Sequence, residues 1–183
     1  MWGQAAARYI EDHFRKLNLL PLFDGEFLQA IPGPPREDGR KTIYGQNVGA
    51  WLPGSDLKLR DEFIIVSAHY DHLGMREGNI FHGADDNASG TSMVLEVARK
   101  FASLEHRPAR SMVFLAFDLE EHMLWGSRWF ASHAPWKMEQ IKLFITADMI
   151  GRSLGNLPIS TAFVMGSEHG STLPATLNEV GEP

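Results

Sequence analysis

The chain has 183 residues, 44% hydrophobic and 22% charged, which is enough for one domain with a sizeable core. Its net charge of −6 leaves no electrostatic footprint for nucleic acid or an anionic membrane, and neither is expected as a partner. The absence of cysteine excludes disulfides and thiolate metal sites and leaves the compartment open.

No apolar stretch approaches the roughly 20 residues that span a bilayer. The opening "MWGQAAARYIEDHFRKL" interleaves acids and bases, so it reads as an amphipathic helix over about 4 to 17 and not as a signal peptide. The Pro/Gly-rich stretch that follows, up to "REDGRK", reads as a loop or an interrupted edge strand. "KTIYGQNVGAWLPG" is extended, and "EFIIVSAH" is a continuous apolar strand covered on both faces.

A Gly-rich loop then leads into "GTSMVLEVARKFASL", a helix with Met93, Val94, Val97 and Phe101 facing the core. "SMVFLAFD" is a second buried strand, "WGSRWFASH" a short helix, "IKLFITAD" a third strand and "ISTAFVMGS" a fourth. The alternation predicts an α/β fold, a three-layer sandwich with a largely parallel mixed central sheet and helices on both faces. One domain over 1–183 is expected, with an N-terminal helix and loop over 1–40 and the core over 41–183.

In such sheets ligands gather beyond the carboxyl ends of the strands. Here those ends carry His69, Asp71 and His72, then Asp118, Glu120 and Glu121, then Asp148, while the loop "FHGADDNASGTS" adds Asp85 and Asp86. The adjacent glutamates of "FDLEEHML" admit two readings. Asp118 and Glu121 have the spacing of a capping box at a helix start, or the pair belongs to a site.

Histidine and carboxylate without thiolate suit zinc, manganese or cobalt in a hydrolytic centre. Acids this close together repel one another unless a cation lies among them, and two metals sharing a carboxylate would resolve this. Asn87-Ala-Ser89 is a formal glycosylation sequon inside this loop and reads as structural.

Together "NVGAWLPGSD", "AHYDHLG", "GADDNASG", "EEHMLWGS" and "DMIGR", running in order between about Tyr44 and Ser167, resemble the co-catalytic zinc aminopeptidases. That branch of zinc exopeptidases also holds glutamate carboxypeptidase II-like enzymes and glutaminyl cyclases. The resemblance implies that His69 and Asp148 bind one zinc, that Asp86 bridges two, and that Glu121 binds the other. It implies Glu120 as general base, Asp71 as the acid that orients His69, and a cis peptide at Asp86-Asn87. A peptide is the implied substrate and N-terminal hydrolysis by metal-activated water the implied reaction. Carboxypeptidase or glutaminyl cyclase chemistry, or an inactive binding module, are the alternatives on the same fold.

Two departures from the family pattern stand out. Met123 occupies a position where the family usually has glycine. The family's fifth ligand, a downstream histidine, has no counterpart, since His169 comes too early and His122 and His133 are the other available imidazoles. A chain lacking the last portion of its catalytic domain is therefore expected. Trp125, Trp129 and Phe81 are aromatic candidates beside the site.

Overall fold

The structure, a computed structural model, describes residues 2–34, 42–153, 164–167, 170 and 172–181. They fall into two compact units, Met1–Gly151 and Arg152–Pro183.

The first unit opens with helix α1 (Trp2–Lys16). Ala7, Ile10 and Phe14, three and four residues apart, are each at most 2% exposed, so one stripe of the helix is sealed against the sheet. Strands β1 (Leu20–Pro21) and β2 (Leu28–Pro32) follow, and both pair antiparallel with the long β3 (Ile43–Leu52). The described part of the stretch expected to be a loop or an interrupted edge strand thus holds two short strands with a break between them, and residues 35–41 lie outside the described residues. The break between them turns at Asp24-Gly25, where both residues have positive φ.

β4 (Phe63–His69) runs parallel between β7 (Ser111–Phe117) and β8 (Ile141–Thr146), and β3 joins the far side of β7 antiparallel. A hairpin of β5 (Gly74–Arg76) and β6 (Asn79–Phe81) branches off beyond β4. Its turn, Glu77-Gly78, has positive φ at both residues, a glycine signal visible in the sequence.

All of β7 and nearly all of β4 are buried, which explains why neither strand alternates in hydropathy. Val66, Ala68, Met112, Phe114 and Ala116 face helices α1 and α2 (Gly90–Ala102). Phe63, Ile65, Val113, Leu115 and Phe117 face the opposite way, onto Phe130 of helix α3 (Trp125–Ser132). The result is a mixed sheet between two helical layers. Val94 is fully buried, and Met93, Val97 and Phe101 pack against the same cluster, as the helical spacing required.

Because β4, β7 and β8 are parallel, their carboxyl ends share one rim, with His69 paired to Phe117 and Ser67 to Thr146. The antiparallel β3 brings its opposite end, with Tyr44 and Gln46, to the same rim. In the second unit the described element is helix α4 (Leu173–Gly181). The expected fourth strand, residues 159–167, lies largely outside the described residues, and His169 lies outside them too. Among the described residues no helix is long and apolar enough to cross a membrane.

Candidate metal centre

His69 is the last residue of β4 and is only 4% exposed. Its Nε2 faces three carboxylates: Asp86 Oδ1 at 3.1 Å, Asp148 Oδ1 at 3.7 Å and Glu120 Oε2 at 3.8 Å. That nitrogen is inaccessible to solvent and makes no hydrogen bond in good geometry. Ligand atoms of His69, Asp86 and Asp148 all lie within 4.8 Å of one another. A buried nitrogen with no hydrogen bond, aimed among carboxylate oxygens, fits a cation that prefers nitrogen and oxygen donors.

The other side of the ring is pinned. His69 Nδ1 lies 3.1 Å from the backbone carbonyl of Asp71 and 3.5 Å from its Oδ1. A proton on Nδ1 is therefore held by Asp71, which leaves the Nε2 lone pair free to ligate. The Asp71 carboxylate also accepts the backbone N–H of Glu120 at 3.0 Å and of Glu121 at 3.3 Å. One side chain thus sets the imidazole and the two glutamates relative to each other.

The loop from Ala84 to Ser89 is an irregular helical turn with non-helical φ/ψ at Asp86 and Asn87, and the Asp86-Asn87 peptide is cis, as the resemblance implied. Asn87 is buried; it donates to Ala147 O at 2.9 Å and accepts from Gly90 N–H at 2.9 Å. The sequon asparagine is therefore a structural strut between this loop and the Asp148 segment. Asp85 Oδ1 accepts from Gly151 N–H at 2.8 Å and tightens the same junction. Gly90 has no room for a side chain, since a Cβ there would run into Ala147 O and the Asn87 carboxamide.

No helix begins at Asp118, which corrects the capping-box reading. Asp118 is 8% exposed, and its carboxylate accepts from Gln46 N–H and from Leu119 N–H, both at 2.9 Å. Those bonds tie the end of β7 to the start of β3, and α3 begins only at Trp125. Between them the chain makes a turn closed by Leu124 N–H to Glu120 O at 2.9 Å and Trp125 N–H to Leu119 O at 3.0 Å. Asn47 clamps the far side, donating to Gly126 O and accepting from Asp118 N–H. Sequence reasoning missed this Asn47–Asp118 clamp, because its partners are some 70 residues apart.

Electrostatics mark the same place. Burial works against charging His69, but the hydrogen bond to Asp71 and the charges of Asp71, Glu120 and Asp148 prevail and raise it to about 9. Glu120, Glu121 and Asp148 are each pushed up, first by burial and then by neighbouring acids. The cluster demands positive charge, and a cation supplies it as well as a proton does.

Glu121 stands slightly apart. It lines a cleft with Asp86, His72, His82 and Phe81, and its Oε1 is buried without a hydrogen-bond partner. Among the described residues, no imidazole joins Glu121 in a tight ligand group. His122 and His133 are exposed and border a different cleft, with Trp125 and Trp129.

A mixed α/β sheet whose parallel strands end in an imidazole and converging carboxylates sets a candidate metal-binding group at the rim where such sheets gather ligands. The chain belongs to Peptidase family M28, whose profile residues 47–183 match. A probable zinc metalloprotease of Pyricularia oryzae is 35% identical over 116 residues, covering 60% of this chain and 22% of that protein. Aminopeptidase YwaD of Bacillus subtilis is 34% identical over 93 residues, covering 50% of this chain and 19% of that protein. The chain thus spans about a fifth of the length of these relatives. The fold is shared with the solved structure of BSAP, a zinc aminopeptidase from Bacillus subtilis, at TM-score 0.54 and 21% identity over 84% of this chain and 44% of that one. The family is one of peptidases, and zinc is named for the Pyricularia oryzae relative and for the solved Bacillus subtilis structure.

Proposed function

We propose that the chain carries the centre of a zinc-dependent aminopeptidase. The observation that carries this reading is the buried Nε2 of His69, free of hydrogen bonds and facing Asp86 and Asp148. His69, Asp86 and Asp148 would hold one zinc. Asp86 also lines the cleft that contains Glu121, and these two carboxylates would hold a second ion. When bound, zinc supplies Lewis acidity, bringing deprotonation of a water towards neutral pH and polarising a carbonyl.

The chain's own residues do the rest. Asp71 holds the Nδ1 side of His69 and so keeps Nε2 available as a donor. Glu120 is held by its backbone N–H on Asp71, with its carboxylate 3.8 Å from His69 Nε2. Its raised proton affinity suits a base that takes a proton from the attacking water and returns it to the leaving amine. Glu121, next in the chain, faces the neighbouring cleft, so one turn serves two roles.

The test is hydrolysis of aminoacyl-nitroanilides by the purified chain, with metal content measured before and after chelation. Zinc-dependent nitroanilide release supports the aminopeptidase reading. Cyclisation of N-terminal glutamine peptides in place of nitroanilide release would assign cyclase chemistry, and no chelator-sensitive turnover would leave a binding module.

A further inference from the structure

A second cleft, of about 670 Å³, is bordered by Tyr44, Met123, Trp125, Arg128, Trp129 and His133. It begins where the Glu120–Glu121 turn ends. Three features of its lining point to a ligand.

The first is Met123. Met123 and Leu124 both lie in the left-handed region, with φ of 62° and 59°. Glycine adopts that conformation without steric cost and a residue with a Cβ does not. Met123 is 82% exposed, so its side chain gives the fold almost no burial in return. A strained, solvent-facing thioether at the edge of a cleft is open to contacts made outside the fold.

The second feature is the wall. Tyr44 and Trp125 lie 5.5 Å apart at 36°, and Trp129 stacks on His133 at 3.7 Å. Flat aromatic faces with a polarisable methionine beside them suit an aromatic or large apolar side chain.

The third is charge. Arg128 borders these rings and has no ion pair among the described residues, in a chain of net charge −6. A guanidinium fork in that position matches a carboxylate.

Resting on the peptidase reading, we propose that this cleft receives the residue that follows the scissile bond. That residue carries an aromatic or large apolar side chain, and Arg128 takes its α-carboxylate. Chain adjacency supports the placement: with Glu120 as the group that returns the proton to the leaving amine, His122 and Met123, which follow Glu120 and Glu121 in the chain, line the cleft. The preferred substrates are then dipeptides ending in such a residue.

Calorimetric titration of the zinc-loaded Glu120→Gln chain with Leu-Phe, Leu-Phe amide and Leu-Gly tests this without turnover. Leu-Phe is expected to bind about tenfold tighter than Leu-Gly, because its ring is buried, and several-fold tighter than its amide. Adding Arg128→Gln should abolish the difference between acid and amide. Adding Met123→Gly should weaken Leu-Phe binding several-fold while the melting temperature holds or rises, a split that a structural role for Met123 does not produce. Equal affinity for the three peptides, no measurable binding, or weaker binding together with a lower melting temperature in Met123→Gly would overturn the assignment. Hydrolysis by the unsubstituted zinc-loaded chain is scored separately: it decides the peptidase reading, whereas the binding pattern decides the cleft.

Discussion

The carboxylate of Asp71 accepts the backbone N–H of Glu120 at 3.0 Å, across 49 residues of sequence. With its second oxygen on Glu121 N–H and its carbonyl on His69 Nδ1, Asp71 joins the ends of β4 and β7 into one constellation. Orientation of the imidazole and placement of Glu120 therefore share a single support.

Replacing Asp71 should damage both at once. Asp71→Ala is expected to weaken zinc binding about 10–100-fold, the usual cost of losing a support behind a ligating histidine. It also leaves two partly buried N–H groups unpaired, for about 1–3 kcal/mol of stability. Competition titration against a chromophoric chelator and urea denaturation measure the two effects. Wild-type zinc affinity in this variant would remove Asp71 from the centre.

Glu120→Gln separates chemistry from metal binding. The amide is nearly isosteric but cannot accept the proton, so kcat should fall about 10²–10⁴-fold. Zinc content by elemental analysis should stay at the wild-type level. Turnover near wild type would place the base elsewhere.

Stripping the metal should make stability depend on pH in one direction. In the metal-free chain, burial and neighbouring acids raise Glu120, Glu121 and Asp148, and Asp71 with the other acids raises His69 from 6.5 to about 9. Each group binds its proton more tightly folded than unfolded. Its stabilisation is complete below the unfolded pKa and is lost as pH rises through the folded one. The carboxyls act first, above their ordinary range, and His69 acts between 6.5 and about 9. In chelator the melting temperature should therefore fall from about pH 5 to about pH 9, and saturating zinc should offset the fall. A melting temperature that climbs over that range in chelator contradicts the cluster.

Gly126 is a packing constraint behind the Glu120–Glu121 turn. A Cβ there would meet the carbonyl of Asp118, with Asn47 Oδ1 only 2.6 Å away. Gly126→Ala is expected to cost about 1–3 kcal/mol, because the obstruction is backbone and cannot rotate away. Chemical denaturation gives the number, and a loss below 0.5 kcal/mol, roughly the size of an ordinary surface effect, would show that the turn can shift.

The local chemistry of the chain was legible without coordinates. Continuous apolar runs marked β4 and β7, helical spacing marked α2, and polar residues just past three strand ends marked the rim. These signals are local, since strand burial on both faces and helix periodicity are written in neighbouring residues. The glutamate pair could not be decided locally, because Asp118-x-x-Glu121 has the spacing of a helix cap. Only the tertiary structure showed Asp118 spent on Gln46 N–H, with the helix starting seven residues later at Trp125.

What the sequence determined by itself was which imidazole and carboxylate residues follow the strands and where those strands run, since both depend on residue type and short-range pattern. What the tertiary structure decided was how they are shared. His69 Nε2 is left without a hydrogen bond because Asp71 takes the other nitrogen, Glu121 is turned to a neighbouring cleft, and Met123 is held in strain at the edge of an aromatic one. Each of these depends on hydrogen bonds and steric limits between segments distant in the chain, and those exist only once the sheet has aligned its strand ends.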